Sequence, residues 1–134
     1  FPTRRSSDLY LFSGGSVNMR DAAVYAKEEN WSKAVELWKQ TYETKKGKQK
    51  MYAAYNTALG YEMQDSIDTA LEWALKAQTL AREKSKTDKK ETGEIHDGTI
   101  SYYIFISMYV DELEKRKEGM ARLNMQMNRF DDDF

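Results

Sequence analysis

Ala22-Ala23-Val24-Tyr25-Ala26-Lys27-Glu28-Glu29-Asn30-Trp31-Ser32-Lys33-Ala34-Val35-Glu36-Leu37-Trp38 decides the fold, because its pattern returns 36 residues later in Ala58 to Ala74. That shift superposes Ala22 on Ala58, Tyr25 on Tyr61, Trp31 on Ile67, Ala34 on Ala70 and Trp38 on Ala74. Ala77 continues the second copy where the first has Thr41. Self-similarity at one fixed period is the mark of stacked supersecondary units. Helical periodicity runs on both sides of a polar turn at Glu29-Asn30, and again around Gln64-Asp65-Ser66. Asn30, and Asp65 or Ser66, carry side-chain oxygens suited to accept the free amides that open a helix. Gly47 is suited to end the second helix, where glycine tolerates a left-handed backbone. Two helices approach to about 8–9 Å only where the contact residues are small. Ala22, Ala58, Ala34 and Ala70 are therefore expected at the contacts, with Tyr25, Tyr61, Trp31, Ile67 and Trp38 filling the space alongside.

Outward from the repeats, composition supports helices and one domain. The chain has 134 residues, one proline (Pro2), seven glycines and no cysteine. Seventeen aromatics supply a real core, where a disordered chain would be poorer in them. No stretch approaches the roughly 18 apolar residues of a membrane span, so no direct membrane insertion is expected. The first nine residues, Phe1 to Leu9, match the translation of a common sequencing-library adapter and are expected to be non-native. The chain is then read as a fragment of a longer protein, with residues 10–134 forming one helical domain. Without Arg4, Arg5 and Asp8 there remain 19 basic and 21 acidic side chains, net −2. That balance speaks against nucleic acid as a partner, since such domains usually carry clear positive excess.

Toward the C-terminus, residues 83–98 are charge-dense and lack apolar periodicity, which predicts a solvated connector or a frayed helix end. From Thr99, a candidate N-cap, to about Phe130 the chain reads as one long helix. Its first part, Ile100 to Val110, is apolar nearly all round, so burial on more than one side is expected. Further on the stripe narrows to Ile106, Leu113, Met120 and Met127, seven residues apart. The expected architecture is all-α: repeat 1 at about 17–45, repeat 2 at about 50–82, and a C-terminal helix at 99–130 that caps the open end of the stack.

The repeat pattern resembles the tetratricopeptide repeat (TPR), and Asn56-Thr57-Ala58-Leu59-Gly60-Tyr61 is a good version of its first-helix signature. The resemblance covers Val17 to about Arg82; the family's terminal proline is missing, and the period is 36 where 34 is usual. It implies a fragment of a right-handed α-α superhelix whose first helices line a concave, partner-binding face. In that register the face presents Met19, Ala23 and Lys27 from the first repeat, and Tyr52, Tyr55, Leu59, Glu62 and Met63 from the second. Tyrosine and methionine suit a binding groove. In the competing reading the final helix fills that groove and makes these residues ordinary core. The chain also resembles the C-terminal part of a group of bacterial envelope lipoproteins, through Asn30-Trp31-Ser32-Lys33-Ala34, Ala54-Tyr55-Asn56-Thr57-Ala58 and Leu123-Asn124-Met125-Gln126-Met127. That likeness implies an exported, lipid-anchored parent in the cell envelope; the residues by themselves leave the compartment open.

Catalytic chemistry has little support, and no enzyme activity, cofactor or metal is expected. His96, the only histidine, belongs to the polar connector and has no serine–acid constellation around it. The pairs Glu28/Glu29 and Asp111/Glu112 are adjacent on helices and point about 100° apart, so they read as solvated faces. Asp131-Asp132-Asp133 lacks the glycine and spaced oxygens of a calcium loop. Gly14-Gly15 is not followed by the Gly-Lys-Ser/Thr of a phosphate loop. Lys45, Lys46, Lys48 and Lys50 read as a solvated turn between repeats. The expected function is a non-catalytic protein-interaction module that takes a peptide or partner helix in its repeat groove. The alternative is a structural domain that forms a homodimer through Met120, Leu123, Met127 and Phe130.

Overall fold

Among the described residues five helices follow one another: α1 (Val17–Lys27), α2 (Trp31–Thr44), α3 (Lys48–Met63), α4 (Ile67–Thr92) and α5 (Asp97–Asp132). This computed structural model describes the backbone of residues 10–92 and 97–132, and the side chains of residues 10–84 and 102–129. The protein is all-α, and each helix packs on the next. The adapter-like residues 1–9 and His96 lie outside the described residues, as do the side chains of Thr99, Phe130 and Asp131-Asp132-Asp133.

The turns within the two repeats are copies of one another. In the first, Asn30 N–H donates to the Tyr25 carbonyl at 2.8 Å and Glu29 N–H to that of Ala26 at 2.9 Å. In the second, Ser66 N–H donates to Tyr61 at 2.9 Å and Asp65 N–H to Glu62 at 3.0 Å. These paired bonds are the Schellman closure of a helix end, which places one residue in the left-handed region. That residue is Glu29 in the first turn and Asp65 in the second, each at φ 62° and again 36 positions apart. Asn30 then opens α2 by accepting the Lys33 N–H at 3.4 Å, and Ser16 opens α1 by accepting that of Met19 at 3.2 Å. The Gly47 expectation is half right. Its φ is positive, 66°, but α2 has already ended at Thr44, and Gly47 is instead the residue that precedes α3.

The alanine contacts are where the spacing puts them. Ala22, Ala34, Ala58, Ala70, Ala74 and Ala77 are all fully buried, as is Trp38. Trp31 and Ile67 are buried beside them, while Tyr25 and Tyr61 are half-buried. Gly60 completes the α2–α3 contact, because a β-carbon there would meet a Val35 methyl at 2.3 Å and the Trp38 ring at 3.3 Å.

One expectation for the C-terminal half is narrowed and another is corrected. Of the two readings of 83–98, a solvated loop or a frayed helix end, the loop is excluded up to Thr92, where α4 continues as helix. Its lysines and glutamates are good helix formers, and no glycine or proline intervenes before Gly93. Nor is Ile100 to Val110 buried all round. Ile106, Tyr109 and Val110 are buried, but Ile104 and Met108 face solvent, at 51% and 66% exposure. Among the described residues, the neighbours of α5 come from α3, α4 and the residues before α1.

Candidate functional site

The site is built on α3, the middle helix of the stack. Met51 and every residue from Ala53 to Gly60 are buried, because α2 and α4 flank this helix and other elements cover its remaining face. One cover is α5. The second is an irregular arm, Tyr10 to Gly15, that precedes α1 and lies against α3 and α5.

Asn56 holds the arm. Its carboxamide is fully buried and binds both main-chain polar groups of one residue: Phe12 N–H donates to Oδ1 at 3.0 Å, and Nδ2 donates to the Phe12 carbonyl at 2.6 Å. Tyr55 adds a third main-chain contact, its hydroxyl donating to the Tyr10 carbonyl at 2.8 Å. The Phe12 ring stacks on Tyr52 with centroids 4.1 Å apart and 16° between planes, and meets Tyr55 edge-on at 5.4 Å. Tyr10 packs edge-on against Phe105 at 5.1 Å. Tyr10 and Phe12, two positions apart, thus face the same groove, as alternate residues of an extended chain do.

The far wall is α5. Tyr52 donates to the Tyr102 hydroxyl at 3.0 Å, and burial together with that bond raises the Tyr52 pKa well above the ordinary value. Tyr55 meets Tyr109 edge to face and Phe105 at a tilt of 54°. Further along, Tyr109 donates to Glu62 at 2.8 Å, and Arg116 pairs with the other oxygen of the same carboxylate. The Glu62 side chain is 1% exposed, so this ion pair closes the groove at its end. At the outer edge, the Arg82 guanidinium beside Tyr103 lowers the Tyr103 pKa.

These positions answer the eight-residue concave face. Met19, Tyr55, Leu59 and Glu62 are buried, Ala23, Tyr52 and Met63 are half-buried, and Lys27 is exposed. Of the two readings of this face, the second repeat follows the one in which it is covered. The final helix does fill much of it, and the arm fills the rest. Asn56 itself was legible only as part of a repeat signature. Its signal was a carboxamide in a helix of alanines, tyrosines and leucine, with no side-chain partner at helical spacing.

The remaining expected positions scatter. Met120, Leu123 and Met127 are 39%, 52% and 54% exposed on the projecting end of α5. Beside that end, Asp65, Asp68, Lys117 and Asn124 line an open cleft of about 450 Å³. Glu28, Glu29, Asp111 and Glu112 are exposed. The lysine cluster divides: Lys45 and Lys46 are exposed, Lys48 lies 5.9 Å over Tyr102, and Lys50 lies 4.7 Å over Tyr42. Tyr42 in turn meets Trp73 edge-on, under Lys76 at 4.1 Å. Among the described residues, no three histidine or acidic side chains come together as metal ligands, and no helix is long and apolar enough to cross a membrane.

Neither a curated protein nor a solved structure matches the chain. A family model does, over residues 20–115, which is more than half of the sequence and takes in α2 to α4 with parts of α1 and α5. The chain therefore belongs to that family, described as a domain of unknown function (DUF6340).

Proposed function

We propose that this domain is a tetratricopeptide-like, non-catalytic protein-interaction module whose α3–α5 groove holds an extended peptide segment. The observation that carries the reading is the buried Asn56 carboxamide, which pairs with both the N–H and the C=O of a single non-helical residue. Main-chain pairing supplies affinity without regard to sequence, and the aromatic walls supply selectivity. The packed helices hold donors and rings in place, so the groove loses little freedom on binding. A random peptide display library selected against the intact chain tests it. The expected result is enriched peptides whose binding drops at least tenfold in Asn56→Ala; selection of nothing that depends on Asn56 removes the proposal.

One observation favours a second reading, self-association. Met120, Leu123 and Met127 are exposed toward the end of α5, although they extend the stripe that Ile106 and Leu113 bury. Light scattering behind size exclusion tests this, and a dimer abolished by Leu123→Glu would favour it. A chain that stays monomeric at high concentration removes it.

A further inference from the structure

The arm in the groove has the features of a ligand more than of a core element. Its main-chain groups bond to α3 through side chains, those of Asn56 and Tyr55 and, with Nε2 donating to the Gly14 carbonyl at 3.5 Å, that of Gln49. Only Phe12 is buried, while Tyr10 keeps 55% of its surface in water. The arm joins α1 through Gly14-Gly15, and Gly15 sits at φ 112°, in the region that favours glycine. A β-carbon at Gly15 would also run into the Gln49 side chain at 2.1 Å. Residues built this way can turn about the glycine pair and leave without unwinding a helix.

Departure would expose a site that is already formed. Asn56 would keep a donor and an acceptor aimed at a peptide unit, and Tyr52 would present a ring face to an incoming aromatic. Asn56 accepts any residue except proline, which has no N–H to donate. Selectivity then rests on the two ring positions, two residues apart.

We infer that Tyr10–Phe12 is an intramolecular ligand that gates this groove, and that the partner it yields to is an extended aromatic-x-aromatic segment of another protein. The inference rests on the peptide-groove reading above and adds to it the occupant and its regulation. A tethered arm competes at an effective concentration of about millimolar, so the intact chain binds such a segment weakly until the arm is weakened.

The test uses the full chain and a fluorescein-labelled Tyr-Leu-Phe-Ser-Gly peptide. Phe12→Ala should bind it at least tenfold more tightly than the parent chain. Adding Asn56→Ala to Phe12→Ala should reverse the gain, and a Tyr-Leu-Ala-Ser-Gly peptide should bind at least tenfold more weakly. Should Phe12→Ala unfold, 4-fluorophenylalanine at position 12 of the otherwise unaltered chain gives a second measurement. Its ¹⁹F resonance should move to the solvent position as unlabelled peptide reaches about millimolar. A resonance that stays put under those conditions, or equal binding by parent and Phe12→Ala, makes the arm a fixed part of the core and overturns the inference. A concentration-dependent dimer that Phe12→Ala abolishes would give the groove to the arm of a second copy, which also overturns it. Display-selected peptides that need Asn56 but lack the aromatic pair would sink this inference and leave the groove reading standing. No Asn56-dependent peptide of any sequence would sink both.

Discussion

Trp38 shows how much one side chain carries. It is fully buried between α2 and α3, against the face that Gly60 keeps bare. Its removal leaves a cavity that rigid helices cannot close, so Trp38→Ala should cost about 3–5 kcal/mol in urea melts. A loss under about 1 kcal/mol would contradict the wedge. Glu29 makes the opposite case. A non-glycine residue at φ 62° crowds its own β-carbon, and glycine removes that conflict. Glu29→Gly should therefore raise stability by about 0.5–1 kcal/mol, net of the glycine's greater freedom when unfolded. Tyr52 carries a pH dependence with a definite sign. Its folded pKa lies above the unfolded value, chiefly through burial and then through the bond to Tyr102. The stability it confers is fully present below the ordinary tyrosine pKa of about 10 and is lost as pH rises past it. The stability difference between the parent chain and Tyr52→Phe should thus be constant near neutrality and shrink above about pH 10. A difference that stays flat to about pH 11 would refute the assignment.

Helix α5 serves two environments along one length. Up to Arg116 it has neighbours, and Glu62 depends on it for charge. Arg116→Ala would take the guanidinium away from a carboxylate that is 1% exposed and accepts from Tyr109. The expected loss is about 3 kcal/mol, the low end for breaking such a pair, because Arg116 itself is 28% exposed. Glu62→Gln combined with Arg116→Met should recover part of it, and thermal melts of the two variants decide. Beyond Lys117, which reaches Asp68 at the start of α4, the helix runs past its neighbour and residues 121–129 are exposed. The heptad stripe through Ile106, Leu113, Met120 and Met127 records apolar spacing but carries no information about where α4 begins in space. That is why its first half is core and its second half is surface.

Across the whole molecule, stability should grade from α3 outward. Native-state hydrogen exchange is expected to be slowest in residues 51–60 and fastest at the end of α5, because opening α3 must break contacts with α2, α4, α5 and the arm together. Equal protection in the two would refute a central α3. The all-α class, both turns and the buried alanines could be read directly from the residues. They depend on interactions between positions close in sequence, and the 36-residue period repeats those interactions twice. The closed groove could not be read in this way. Asn56 and Phe12 are 44 residues apart, and Glu62 and Arg116 are 54 apart. Nothing local in either partner records the other, since a buried carboxamide or carboxylate states only that a partner is needed. Packing the other helices and an arm around α3 settled which partner came, and so decided between an open face and an occupied one.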